Sequence, residues 1–133
     1  SRRLTPPETT EDFVPPLGPI RGKKIDSLCF YVPESHVEEV KQALFDAGAG
    51  RIGDYGSCAW QVLGTGQFQP MEGSEPFSVE DTLERVDEYR VEMICLEDSI
   101  EAVIRALRAA HPYEEPAFHY WRVNEEFLKD PAD

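Results

Sequence analysis

Basic residues are scarce: 13 lysines and arginines face 26 aspartates and glutamates, a formal net charge of −13. A nucleic-acid binder held by phosphate neutralisation needs a basic face, so no nucleic-acid partner is expected. The same deficit argues against docking on an anionic membrane surface. No apolar run approaches the roughly 18 residues of a membrane span, so no direct membrane insertion is expected. The three cysteines, Cys29, Cys58 and Cys95, include no C-x-x-C pair. Zinc-ribbon, redox-dithiol and iron–sulfur readings therefore lose their usual signature. Unpaired thiols, and no basic start leading into an apolar stretch, suit a reducing compartment such as the cytoplasm or a mitochondrial matrix.

What is present suffices for one core. A length of 133 residues corresponds to a single domain. With 41% hydrophobic and 11% aromatic residues, wholesale disorder is excluded. Charge is unevenly spread: residues 1–24 hold five bases and three acids, net +2, which leaves −15 for residues 25–133. Residues 72–101 hold eleven acids against Arg85 and Arg90. That stretch reads as a solvated face, with a dock for a basic partner as the sharper alternative.

Five of the eleven prolines fall within the first 22 residues. Proline fixes φ and lacks an amide hydrogen, so residues 1–23 read as an extended arm outside the core. Phe13, Val14, Leu17 and Ile20 are spaced along it where they could plug shallow pockets on a neighbour. From residue 24 the periodicity changes, and 24–123 reads as the folded domain, with 124–133 a tail or short helix. Lys24 to Val32 alternates like a strand and stops at Pro33. Ser35 stands three residues before Glu38, the spacing of a capping box, and Val37, Val40, Leu44 and Ala47 follow at helical intervals up to Gly48. Ala59 to Gly66 reads as a strand broken by Gly64-Thr65-Gly66, residues 67–82 as a turn-rich excursion, and Val86 to Cys95 as a third strand. A second helix carries Ile100, Val103, Ile104 and Leu107 and ends at His111-Pro112; Ala117 to Val123 is the fourth strand.

Strand, helix, strand, strand, helix, strand is the α+β, ferredoxin-like order βαββαβ: an antiparallel sheet with both helices on one face. The other face is expected to hold Trp, Tyr and Phe with few charges, and nothing in one chain covers it. Self-association follows as an expectation.

The densest chemical cluster is His111-Pro112-Tyr113-Glu114-Glu115-Pro116, with His119 beyond. An imidazole near two carboxylates suits a divalent metal or an acid-oriented base. The competing reading is structural: His111 ends the helix, Tyr113 anchors, and the prolines fix the turn. A metal cage needs three or four aimed ligands, so no metal and no cofactor is expected. Gly64-Thr65-Gly66-Gln67-Phe68-Gln69-Pro70 has neither the P-loop lysine nor a following helix. Its glycines read as a bulge or a close backbone approach, with a small-anion nest as the alternative. Cys58 has no neighbouring base in sequence and reads as packing.

Taken together, the segments Gly48 to Gly56, Gly64-Thr65-Gly66-Gln67-Phe68-x-Pro70, Gly73-Ser74-x-Pro76-Phe77, Glu88-x-Arg90-Val91-Glu92 and the 111–116 hexapeptide form a recognisable series. In order and spacing the chain resembles the PII/CutA-like domain of the Nif-three-like proteins, across residues 24–123. The resemblance implies a ferredoxin-like core that forms PII-like homotrimers, with strand edges and sheet faces buried between subunits. It implies a ligand or partner loop at residues 67–85, assigned to Gly64, Gly66, Phe68, Pro70, Gly73, Pro76 and Phe77. The family's two-metal centre belongs to flanking domains, so neither metals nor an enzyme activity carry over, and a standalone form is expected. Three functions compete: a non-catalytic binding or regulatory module, an accessory subunit docked through arm and acidic face, and a metal protein or hydrolase using His111, Glu114, Glu115 and His119.

Overall fold

Alternation along Ile25–Val32 gives a strand with two usable faces, and this segment forms β1, with seven of its eight residues buried. The computed structural model describes residues 24–71 and 82–124. The arm, Gly73, Pro76, Phe77 and the residues from 125 onward lie outside the described residues. The remaining elements are α1 (Val37–Asp46), β2 (Trp60–Phe68), β3 (Glu84–Leu96), α2 (Ile100–Ala110) and β4 (Phe118–Val123). All pairings are antiparallel, in the order β2-β3-β1-β4. This is the ferredoxin-like α+β arrangement.

One sheet face meets both helices. Leu28, Phe30 and Val32 of β1 and Val91, Met93 and Cys95 of β3 pack against Val37, Val40 and Leu44 of α1 and Ile100, Val103 and Leu107 of α2. Asp26 is also buried there, and Arg122 sits opposite it in the β1–β4 register. The guanidinium Nε lies 3.0 Å from the Asp26 carboxylate, and its Nη2 lies 2.9 Å from Glu97. A buried carboxylate without such a partner would carry its full desolvation penalty.

The helix ends show what spacing alone misses. Ser35 does not cap α1: a short 3₁₀ turn, Glu34–His36, comes first and puts His36 in the capping position. Ser35 Oγ instead bonds His36 Nδ1 at 2.7 Å. The other end fulfils its expectation: Gly48 at φ +113° donates to the Phe45 carbonyl, and Ala49 donates to Leu44. That pair of bonds is a Schellman closure, which the left-handed glycine makes easy.

The middle of the chain departs most from expectation. The β2–β3 register runs without interruption from Trp60↔Glu92 to Phe68↔Glu84, so Gly64 and Gly66 make neither a break nor a bulge. Glycine still offers both backbone groups to a ladder, and long pairing carries it through. Gln67, Phe68, Glu84 and Arg85 are therefore strand residues rather than loop. Because β1 pairs with β3 only as far as Val32↔Tyr89, the stretch from Gly64 to Phe68 and its partners Glu84 to Glu88 project as a two-stranded ribbon.

The face away from the helices carries Tyr31, Val62, Trp60 and Trp121, as expected, but also Glu88, Arg90, Glu92 and His119. It is more charged than composition suggests, because the charged side of β3 turns toward it. Among the described residues no helix is long and apolar enough to cross a membrane.

Two outcomes are expected. Leu44, fully buried between α1 and the sheet, should cost about 2–5 kcal/mol when replaced by Ala, read as a lower denaturant midpoint with an unchanged slope. Burial first, and the Asp26 charge second, push the Cys95 thiol from 9.0 up to about 12. The folded chain thus holds that proton more tightly than the unfolded chain. Stability should be whole below pH 9.0 and fall as pH rises toward about 12. Denaturation curves on either side of pH 9.0, for the parent chain and for Cys95→Val, should show a drop that the variant lacks.

Candidate functional site

The turn leaving α2 is organised by one side chain. His111 is buried, at 6% exposure, and its backbone N–H still donates to Leu107 at 2.9 Å, closing the helix. Tyr113 donates its backbone N–H to Nδ1 at 3.1 Å, which places the ring proton on Nε2. Nε2–H is then donated to the Tyr31 carbonyl at 2.6 Å. One imidazole thus ties the end of α2, the end of β1 and the start of the 113–117 turn, while the Tyr113 ring sits 5.1 Å from it.

This geometry separates the residues of the hexapeptide. Both His111 nitrogens are committed, so neither is aimed at a metal or a substrate proton. Glu114 and Glu115 are exposed. His119 lies on β4 opposite Cys29, on the open sheet face, between Tyr31 at 6.4 Å and the stacked Trp121 ring at 5.3 Å. The two histidines are not brought together around one site. Among the described residues no three of His, Cys, Asp or Glu are grouped to hold a metal ion.

The structure assembles a different site from the same turn. The projecting ribbon and the 113–117 segment enclose a cleft of about 680 Å³, lined by Tyr31, Gly66, Gln67, Phe68, Val86, Glu88, Tyr113, Glu115 and Ala117. A smaller cavity of about 230 Å³ adjoins it over Val62, Gly64, Thr65 and Arg90, sharing Tyr31, Gly66 and Glu88. Of the expected loop residues, Gly64, Gly66 and Phe68 line these spaces, whereas Pro70 does not and Gly73, Pro76 and Phe77 lie outside the described residues. Gly66 makes its contribution by absence: a Cβ there would lie 2.5 Å from the Glu88 carboxylate oxygen. The close approach expected at the glycines is thus made by a side chain across the ladder. Burial raises the Tyr31 hydroxyl above its ordinary 10.0, and a hydrogen bond with Cys29 adds to this while Arg90 opposes it.

Sequence spacing did not find Tyr31 or Val86, because they join the site only through strand register. Cys58 packs beside Ile52, Trp60 and Met93 and donates to the Gly56 carbonyl at 3.6 Å. Burial raises its thiol, the reverse of an activated nucleophile. Arg108 lies 5.1 Å over the Phe118 ring, so it is partly a packing residue.

Replacing His111 by Ala removes two buried hydrogen bonds and should destabilise the chain by about 2–4 kcal/mol. Glu114→Ala, by contrast, should be close to neutral. Thermal melts with and without a divalent transition metal check the role: a metal-dependent rise that His111→Ala abolishes would contradict it.

No family model matches the chain. It is 50% identical over 105 residues to the GTP cyclohydrolase 1 type 2 homolog of Mycobacterium leprae, covering 77% of this chain and 27% of that protein. The Bacillus subtilis protein of the same description is 40% identical over 110 residues, covering 82% and 30%. Among solved structures, the Bacillus cereus protein related to NIF3 superposes with a TM-score of 0.70 at 40% identity, over 82% of this chain and 28% of that one. CutA1 of Ehrlichia chaffeensis gives 0.56 at 17% identity, over 80% and 91%. The B. subtilis GlnK–ATP complex gives 0.55 at 8%, over 75% and 82%. The last two show the fold alone. The chain spans 26–30% of the length of the curated relatives it matches. By sequence and by fold together, it belongs to the NIF3 family through one part of those proteins, their PII/CutA-like domain.

Proposed function

We propose that the chain is a non-catalytic binding or regulatory module that associates with copies of itself, as the resemblance to PII and CutA proteins implies. The observation that carries this reading is the uncovered sheet face. Trp60, Val62 and Trp121 on that face are each at least 40% exposed, and both helices lie on the opposite face. Aromatic side chains at such density favour burial against a partner. The edges add to it: β2 and β4 are the outer strands and offer unpaired backbone groups.

A non-catalytic role is supported by His111, whose nitrogens are both spent on structure. The ribbon around Gly64, Gly66 and Phe68 is the proposed ligand or partner element, and the free cysteines suit a reducing compartment. The proline-rich arm, with its net positive charge, is proposed to dock on an acidic neighbour.

Sedimentation of the purified full chain at micromolar concentration should give a trimer of 15.1 kDa subunits. Trp60→Asp, at an exposed position, should shift it toward monomer while far-UV circular dichroism keeps the parent's secondary structure. A parent chain that sediments as a clean monomer would sink the self-association reading, and recovery in a heteromeric complex would favour an accessory subunit instead.

A further inference from the structure

We propose that His119 makes association through the uncovered sheet face depend on protons: copies assemble while its ring is neutral and part when acid charges it. This inference rests on the self-association reading and adds the regulation of that same surface. Histidine changes charge between about pH 5 and 8, so the switch works near neutrality.

Position puts His119 inside any such interface. Trp60, Glu92, Cys29 and His119 form one row across the sheet, from β2 at one edge to β4 at the other. Trp121 follows two residues along β4, its ring stacked on the imidazole at 5.3 Å and 23°. A surface that covers Trp60, 61% exposed, and Trp121, 40% exposed, therefore spans the row and covers His119 with them. In the free chain His119 is exposed. Water and the flanking Tyr31 and Trp121 rings there accommodate an imidazolium as well as a neutral ring.

Assembly removes the water, and the surroundings then decide between the two forms. β1 packs beside the ring and presents Cys29 and Tyr31, both uncharged near neutrality. Glu92 and Arg90 stand on β3, across β1 from the ring, and engage each other at 3.5 Å. Glu88 and Glu115 lie beyond Tyr31, at the cleft. A second copy presents the same face, whose carboxylate in this row is already held by its own Arg90. Burying an imidazolium without a partner costs far more than burying the neutral ring. The covered face thus disfavours the proton, and by linkage the proton disfavours assembly.

Sedimentation of the full chain at micromolar concentration, at about pH 7.5 and about pH 5.5, tests this. The parent should dissociate at the lower pH, its assembly midpoint concentration rising by about tenfold or more. His119→Gln and His119→Phe take up no proton, and the second keeps an aromatic ring against Trp121; both should assemble alike at the two pH values. His36→Gln, on the exposed turn before α1, should respond as the parent does. Far-UV circular dichroism at both pH values separates dissociation from unfolding, because the buried His111 titrates in the same range of side-chain chemistry. A parent that is monomeric at both pH values removes the self-association reading and this proposal with it. An oligomer that ignores pH, strengthens in acid, unfolds as it dissociates, or keeps its acid response in both His119 variants overturns this proposal alone.

Discussion

Strand β1 is paired with β3 along one edge and with β4 along the other, and its helix-facing side is covered by α1 and α2. A strand enclosed this way must be apolar nearly throughout, and any polar group on it must bring its own partner. Most of the fold can be traced to that requirement. Leu28, Phe30 and Val32 dictate which stripe of each helix is apolar. Asp26 recruits Arg122 from β4 and, through it, Glu97 in the turn just before α2. At the far end, the Tyr31 carbonyl accepts the His111 Nε2–H hydrogen bond and fixes where α2 stops.

That last contact links the core to the surface chemistry. His111 holds the backbone of Tyr113, and Tyr113 starts the segment that places Glu115 and Ala117 at the wall of the cleft. On the opposite wall, the ladder pairs Glu88 with Gly64, and its carboxylate reaches diagonally over Gly66. The buried imidazole and the exposed carboxylate of one hexapeptide therefore have different tasks. The first sets geometry, and the second supplies charge to a space it does not shape alone.

Much of the architecture was legible in the residues themselves. Alternation marked β1 and β3, helical spacing marked the buried stripes of α1 and α2, and Gly48 marked the end of α1. Period and φ requirements are local, so a single sequence carries them. The 3₁₀ entry to α1 was not legible, because Ser35 and Glu38 satisfy the spacing of a capping box whichever turn the chain takes. The unbroken β2 was not legible either: glycine is neutral about its surroundings, and only pairing with β3 settles its conformation. The cleft was the least readable part. Tyr31, Gly66, Glu88 and Glu115 come from four separate segments, and sheet register and the His111 tie bring them together. Proximity in sequence drew attention instead to His111 and His119, whose rings serve different faces of the structure.

Ile25, which opens β1, lies directly across the ladder from Val123, which closes β4. Residues paired this way have Cα atoms only about 5 Å apart. The chain therefore enters and leaves the folded unit at nearly one point. A unit with that property can be spliced into a surface loop of a host without prising the loop's ends apart. Such grafting leaves the host's own packing intact and lets the guest fold around its own core.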